Sequence, residues 1–382
     1  MSDIFNQLFI NPQKGVTLAT QLKQQLTWLI ASGRLNPGDR LPPVRLLAER
    51  LSINLHTVRH AYHLLEAEGL LETRPGRGTH VLAFDPRQLA GQMRLQRSHC
   101  VGVIVPSWSN PFYHAFLQGV EEIAQEDQTL LFLCVTHDDP GEVWRIYAQL
   151  AAKQVDGILV VSHDASELIS AGGEPDGLPC VSVDYPASQG YSVQMDLENA
   201  GYQATRHLLE HGHRRVGLVT YLEKIPNVQP INNGYRRALQ EAGIDANPAL
   251  IARLPDFSTA SGREGARRLL TLPLPPTAIF AIADMLALGV VQAVKEAGLR
   301  IPQDIAITSF NDIPFAGLVD PPLTTVAAPA LQMGQEAMRM LQKLIAGKRP
   351  AHKQVILPTS LVVRQSCGDH IKQSDWGLCS ED

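Results

Sequence analysis

Residues 34–81 read RLNPGDRLPPVRLLAERLSINLHTVRHAYHLLEAEGLLETRPGRGTHV, and they decide how the front of the chain folds. Asn36-Pro37-Gly38-Asp39 is a turn, and Leu41-Pro42-Pro43 leads into a short helix from Val44 to Leu51, proline being tolerated where a helix starts. Asn54 supplies the side-chain oxygen of an N-cap. Val58, Ala61, Tyr62, Leu64 and Leu65 then recur on one side, and Gly69 ends the run. Two helices a short turn apart make a helix-turn-helix. Residues 70–73 and 79–82 are extended runs flanking Arg74-Pro75-Gly76-Arg77-Gly78, which reads as a hairpin with a basic tip, the wing. Upstream, Leu18, Leu22, Leu26, Leu29 and Ile30 predict an amphipathic helix that reaches Ser32 and stops at Gly33.

In order, Arg34-Leu35, Pro37-Gly38-Asp39-Arg40-Leu41-Pro42, Arg45-Leu46-Leu47-Ala48, Thr57-Val58-Arg59, Leu65-Glu66-Ala67-Glu68-Gly69-Leu70 and Arg74-Pro75-Gly76-Arg77-Gly78-Thr79 closely resemble the GntR winged-helix family. The resemblance implies binding to double-stranded operator DNA, with the second helix in the major groove and the wing on the minor groove or its flanking phosphates. Arg34, Arg45, Asn54, His56, Thr57, Arg59, Gly76, Arg77, Gly78 and Thr79 are the candidate DNA contacts, Arg45 and Arg59 foremost. The plainer reading pairs these arginines with Glu49 or Glu66 on a solvated surface. Leu55 departs from the polar or basic residue common early in this helix. It either touches a thymine methyl or packs, so the operator is not inherited from relatives.

A chain of 382 residues exceeds one ordinary core, so two or three domains are expected. The net charge of -5 looks wrong for a DNA binder until the chain is split at Ser98. Residues 1–98 hold 12 Lys and Arg against 7 Asp and Glu, a balance of +5, and 99–382 hold 21 against 31, a balance of -10. A basic head therefore precedes an acidic body. Neither a spanning apolar run nor a signal-peptide pattern is present, so no membrane partner is expected and the cytoplasm is the expected location. Cys100, Cys134, Cys180, Cys367 and Cys379 lack disulfide or zinc spacing and read as reduced thiols, mostly core.

Residues 84–98 have weak periodicity, a proline, a glycine and three arginines, as a linker should. Beyond them, apolar runs at 101–105, 130–135, 157–161, 180–183, 216–220, 278–281 and 305–310 alternate with helical stretches, the pattern of an α/β fold with covered parallel sheets. Val101-Gly102-Val103-Ile104-Val105-Pro106, Asn110-Pro111-Phe112-Tyr113, Val155-Asp156-Gly157-Ile158, His207-Leu208-Leu209-Glu210-His211-Gly212-His213, Gly234-Tyr235-Arg236-Arg237-Ala238-Leu239, Ala283-Asp284-Met285-Leu286 and Phe310-Asn311-Asp312 resemble the sensor of the lactose-repressor family. That resemblance implies a two-lobed, doubly wound fold like periplasmic sugar-binding proteins, with ligand between the lobes at the carboxyl ends of the strands. The expected division is 14–83 winged helix-turn-helix, 84–98 linker, 99–368 effector-binding and dimerisation domain, and 369–382 polar tail.

Matching positions make Phe112, Tyr113, Asp184, Asp196, Phe257, Asp284 and Asn311 the candidate effector contacts, since carboxylates, amides and rings suit a hydroxyl-rich ligand. Plainer roles are a core place for Phe112 and helix capping for Asp196 and Asp284. Ile231 stands where many relatives have an arginine, and Ala283 and Asn311 replace a frequent asparagine and aspartate. Asn232 and Asn233 are neutral donors nearby, and a neutral carbohydrate is the leading effector class. His207, His211 and His213 fall in the sensor's own HLxxxGH string, so no metal or other cofactor is expected.

The joined halves resemble the arabinose-repressor group, which implies a homodimer on a two-half-site operator, released by its effector. A hundredfold change in DNA affinity needs about 2.7 kcal/mol of coupling. No nucleophile with a placed base stands out, so an enzyme is not expected. A pyridoxal-phosphate domain behind a GntR head would need a much longer C-terminal part. A transport binding protein would lack the head.

Overall fold

The computed structural model describes residues 5, 8, 10, 17–31, 34–84, 98–107, 110–137, 139–162, 178–185, 190–221 and 226–368. Most of the expected linker and the whole expected tail lie outside the described residues. The chain divides into two compact units: Met1–Ser107 with Glu121–Ser192 and Ala337–Gln354, and Trp108–Val120 with Val193–Glu336 and Val355–Asp382.

The first unit begins with the head. Helices α1 (Leu18–Ala31), α2 (Val44–Leu51) and α3 (Leu55–Ala67) and the hairpin β1 (Leu71–Arg74) and β2 (Gly78–Val81) enclose Leu22, Leu26, Leu47, Val58, Leu65 and Leu71, each almost wholly buried. Pro43 precedes α2, and Ser52 ends it in the left-handed region (φ 54°), its amide returning to the Ala48 and Glu49 carbonyls. Asn54 Oδ1 accepts the His56 amide at 2.8 Å and starts α3. The strands pair Leu71 with Val81 through Arg74 with Gly78, and residues 38–41 join them: Leu41 N–H donates to Thr79 O and Val81 N–H to Asp39 O.

The same unit holds a sheet in which β3 (Cys100–Val105) is flanked in parallel by β4 (Leu130–Val135) and β5 (Gly157–Val160), with β6 (Cys180–Val183) beside β5. β7 (Tyr191–Met195) and β13 (Gln354–Leu357) complete its order, β13-β7-β6-β5-β3-β4. Asp156 fastens its entry, accepting from the Ser98 and His99 amides at 2.8 Å each. Helices α4 (Phe112–Glu126) and α5 (Pro140–Ala152) follow β3 and β4 in the chain.

The head is not merely tethered. Helix α1 packs on α5, and Ala148 and Ala152 join the head's own core. The Trp28 ring carries two cations, the Arg34 guanidinium 5.0 Å from its centroid and the Lys153 ammonium at 5.3 Å, and Gln24 Nε2 donates to Gln154 Oε1 at 3.4 Å. Nothing in the spacing of either helix announces this contact.

The second unit's sheet runs β14-β12-β11-β10-β8-β9. β8 (Val216–Tyr221), β9 (Ile251–Leu254), β10 (Ala278–Ala281), β11 (Ala306–Asn311) and β12 (Thr324–Ala327) are all parallel, and β14 (Ser360–Val362) returns antiparallel to β12. Strand order reverses between β8 and β10, making a switch point at their carboxyl ends.

Helices α6 (Leu197–Glu210), α7 (Val228–Glu241), α8 (Thr259–Leu270), α9 (Asp284–Glu296) and α10 (Ala330–Ile345) pack in pairs through reciprocal glycines. A Cβ on Gly201 would stand 2.1 Å from Ile231 O, one on Gly234 2.0 Å from Glu198 O, one on Gly262 2.1 Å from Leu286 O and one on Gly289 2.0 Å from Thr259 O. Gly119 of α4 and Gly334 of α10 repeat the device against Leu331 O and Phe116 O. Backbones this close leave room for hydrogen only. No helix among the described residues is long and apolar enough to cross a membrane.

Candidate DNA-binding face and sensor site

Helix α3 turns Val58, Ala61, Tyr62 and Leu65 inward, and helical spacing then forces His56, Arg59, His60 and His63 outward on one face. Arg45 and Arg50 are exposed on α2, and Arg40 and Arg77 at the wing. Arg45 and Arg59 have no ion-pair partner among the described residues, while Glu66 instead lies 3.9 Å from His63 Nδ1. The alternative pairing with Glu49 or Glu66 is thus not formed.

Other expected contacts sit differently. Arg34 is exposed but stacked on Trp28, and the Asn54 side-chain oxygen is committed to the helix cap. Thr57 is half-buried at the start of α3, two places after Leu55, which packs partly buried against the head core rather than standing out to meet a base. Thr79 is turned inward, its hydroxyl 2.8 Å from that of Thr73, so its side chain is not part of the exposed tip. Gly76 (φ 74°) and Gly78 (φ 92°) have left-handed backbones, and a Cβ on Gly78 would stand 2.7 Å from Arg40 Nε. The exposed residues Arg40, Arg50, His60 and His63 were not singled out from sequence. Stepping three and four residues on from His56 and Arg59 finds both histidines.

In the sensor, the expected residues fall on separate elements. Phe112 and Tyr113 open α4, both buried, their rings edge to face with centroids 5.3 Å apart. Asp184 follows β6, nearly buried with φ 70°. Asp196 is exposed and caps α6, accepting the Asn199 amide at 3.0 Å. Asn311 ends β11 with φ 115°, and beside it Asp312 (φ 56°) pairs with Arg364 at 2.7 Å.

At the β8 end of the switch point, Phe257 stacks on Tyr221, with centroids 4.6 Å apart and planes 10° from parallel. Tyr221, at the carboxyl end of β8, lies one residue beyond the apolar run at 216–220 and so is not among the residues expected from sequence. Thr220 Oγ1 donates to Asn232 Oδ1 at 2.9 Å, and the fully buried Asn232 Nδ2 has no partner among the described residues. Asn233 is exposed, and Ile231 is buried with its carbonyl against Gly201.

Asp284 is fully buried and does not cap α9, whose N-cap is Ala283. Its Oδ1 accepts the hydroxyls of Ser309 and Thr325, and its Oδ2 accepts the Ile313 amide at 2.8 Å. Both oxygens tie β11, β12 and the loop beyond β11 to the start of α9. Burial raises its pKa to about 6, against the opposing pull of those three donors. A raised folded-state pKa means the neutral acid contributes stability that is fully present below the unfolded value near 4 and lost as pH climbs through 6. Relative to Asp284→Asn, the wild type should therefore lose about 2 kcal/mol between pH 4 and pH 7 in urea unfolding. A difference that stays flat across that range would refute the assignment.

A winged helix-turn-helix with exposed arginines on its outer face, joined to two doubly wound sheets, defines a DNA-binding transcriptional regulator with a sensor of the periplasmic-binding type. Residues 18–81 match the bacterial regulatory proteins of the gntR family, and residues 205–367 match the periplasmic binding protein-like domain. The HTH-type transcriptional regulator DegA of Bacillus subtilis is 34% identical over 290 residues, 75% of this chain and 86% of that protein. The HTH-type transcriptional repressor PurR of Aliivibrio salmonicida is 30% identical over 329 residues, 85% of this chain and 98% of that one. Among solved structures, the complex of the transcriptional regulator CelR with cellobiose aligns with a TM-score of 0.65 at 25% identity, covering 85% of this chain and all of that one. A LacI family regulator from Enterococcus faecium with bound ribose aligns with a TM-score of 0.64 at 30% identity, over 72% of this chain and all of that one. The chain belongs to the LacI family of transcriptional regulators and carries a GntR-type head.

Proposed function

We propose that the protein is a repressor that holds operator DNA as a homodimer and lets go when a small neutral carbohydrate binds its sensor. The observation that carries this reading is the pair of exposed, unpaired arginines Arg45 and Arg59 on a helix-turn-helix, in one chain with a sensor similar to regulators solved with ribose and cellobiose. Arg45, His56, Arg59 and Arg77 read or clamp the duplex, Gly76 and Gly78 let the wing backbone approach it, and Arg34, Asn54, Thr57 and Thr79 support them. The relatives are regulators rather than enzymes, and the protein acts without catalysis, in the cytoplasm.

In the sensor, Phe257 on Tyr221 offers an aromatic face to a sugar ring, and Asn232 Nδ2 offers a neutral donor to a hydroxyl. Phe112, Tyr113, Asp196 and Asn311 are the further contacts proposed on the same unit. Asp284 acts through the loop it ties down. With Ile231 in place of a charged anchor, a neutral ligand fits better than an acidic one. The α1 contact with α5 gives the sensor a direct hold on the head, the route by which effector binding reorients it. Dimerisation is supported by β4, an edge strand with Leu130 and Phe132 exposed at 69% and 42%. A thermal-shift screen against mono- and disaccharides tests the effector class. At 100 times its dissociation constant the right sugar adds about 2.7 kcal/mol. If only anionic ligands raise the melting temperature, the carbohydrate reading is wrong.

A further inference from the structure

His207 and His211 lie one turn apart near the end of α6, and Cys367, which follows β14, comes to meet them from 160 residues away. His207 Nε2 is 3.1 Å from Cys367 Sγ, the two imidazole centroids are 4.2 Å apart with their planes tilted by 55°, and one ligating atom from each of the three residues lies within 4.8 Å of the others. All three side chains are largely buried. His211 Nδ1 faces the His207 carbonyl at 2.8 Å, so it carries the proton and leaves Nε2 as the lone-pair nitrogen. Such an outer hydrogen bond orients a ligating imidazole. Thr324 Oγ1, 3.0 Å from Cys367 Sγ, is placed to donate to a thiolate.

We propose that His207, His211 and Cys367 form a binding site for a divalent zinc-class metal ion. Two imidazole nitrogens and one sulfur suit zinc or cobalt(II), which take nitrogen at about 2.0–2.1 Å and sulfur at about 2.3 Å in a tetrahedron. Ligand atoms in such a shell stand roughly 3.3–3.6 Å apart, so modest side-chain shifts suffice. The fourth position falls to a water. On binding, the Cys367 thiol proton leaves to solvent and the thiolate ligates.

The ion would staple the segment after β14 to α6. That segment already threads the sheet: Ile307 N–H donates to Ser366 O, and Ser366 Oγ donates to Ile307 O. Sequence spacing alone hides the site, because the two histidines fit the HLxxxGH string and the cysteine lies far along the chain.

The test is a cobalt(II) titration of full-length, tag-free, reduced and chelator-stripped protein. Expected are one equivalent per chain, a thiolate-to-cobalt charge-transfer band in the near ultraviolet with visible d–d bands, and displacement by zinc. Cys367→Ala should abolish the charge-transfer band, and His211→Gln should weaken cobalt affinity at least tenfold, with Cys100→Ser and Cys379→Ser unchanged. Absence of the band in wild type, or its survival in Cys367→Ala, overturns the proposal. If Cys367→Ala does not melt cooperatively, His211→Gln decides, and unaltered affinity there overturns it equally.

Discussion

Replacing Arg45 and Arg59 together by alanine is expected to weaken binding to the DNA upstream of the protein's own gene by at least about 100-fold while leaving its unfolding midpoint in place. Both side chains are exposed, on successive helices of the motif, and neither has an ion-pair partner among the described residues, so removing them breaks no internal interaction. Each arginine that reaches a base edge or a phosphate contributes about 1–3 kcal/mol to a duplex complex. Two such losses multiply. Salt dependence separates the roles. A phosphate contact lowers the slope of log K against log salt by about one, whereas loss of a base contact relaxes sequence preference with the slope kept. Unchanged affinity in fluorescence anisotropy would mean that α3 does not enter the groove. The control is Arg237→Ala on α7, an exposed arginine paired with Glu198, which should leave DNA affinity as it is.

The second large effect is on folding. Gly234→Ala puts a methyl 2.0 Å from Glu198 O and 2.5 Å from Tyr202 N, both rigid helix backbone. No rotamer relieves a Cβ, so α6 and α7 must separate, and the second unit is expected to lose more than about 3 kcal/mol in urea unfolding. Gly212→Ala is the comparison. That glycine has φ +91° with nothing within 4 Å of an added Cβ, so its substitution costs only backbone strain, about 1–2 kcal/mol. Equal losses at the two positions would show that the close helix approach is not what Gly234 permits.

Where local physics dominates, the chain was legible. Helix α2 covers the residues expected of it, α3 starts at its Asn54 cap, and the apolar runs became β3, β4, β5, β6, β8, β10 and β11 with edges moved by a residue. Strands β7, β9, β12, β13 and β14 escaped notice because polar residues interrupt them: Ser192 and Gln194, Arg253, Thr324 and Thr325, Gln354, Ser360. Each lies toward a sheet edge or is held by side-chain hydrogen bonds, so it needs no continuous apolar run. In the head, periodicity separated the buried from the exposed face of α3. It could not tell that Thr79 points inward or that Leu55 packs.

The sensor residues were read less well, because their partners are remote in sequence. Asp284 looks like a helix start in its own neighbourhood and becomes a tie only when Ser309, Thr325 and Ile313 arrive. Trp28 looks like part of a helix face until Lys153 covers it, and Cys367 looks like a core thiol until His207 does.

The most direct test is the anisotropy of labelled upstream duplex bound to full-length protein, titrated with whichever sugar stabilises the protein in the thermal-shift screen. Effector-driven release predicts about a hundredfold loss of DNA affinity at saturating sugar, with Asn232→Ala shifting the sugar concentration required and leaving sugar-free DNA affinity unchanged. A sugar that demonstrably binds the sensor yet leaves DNA affinity constant would contradict it.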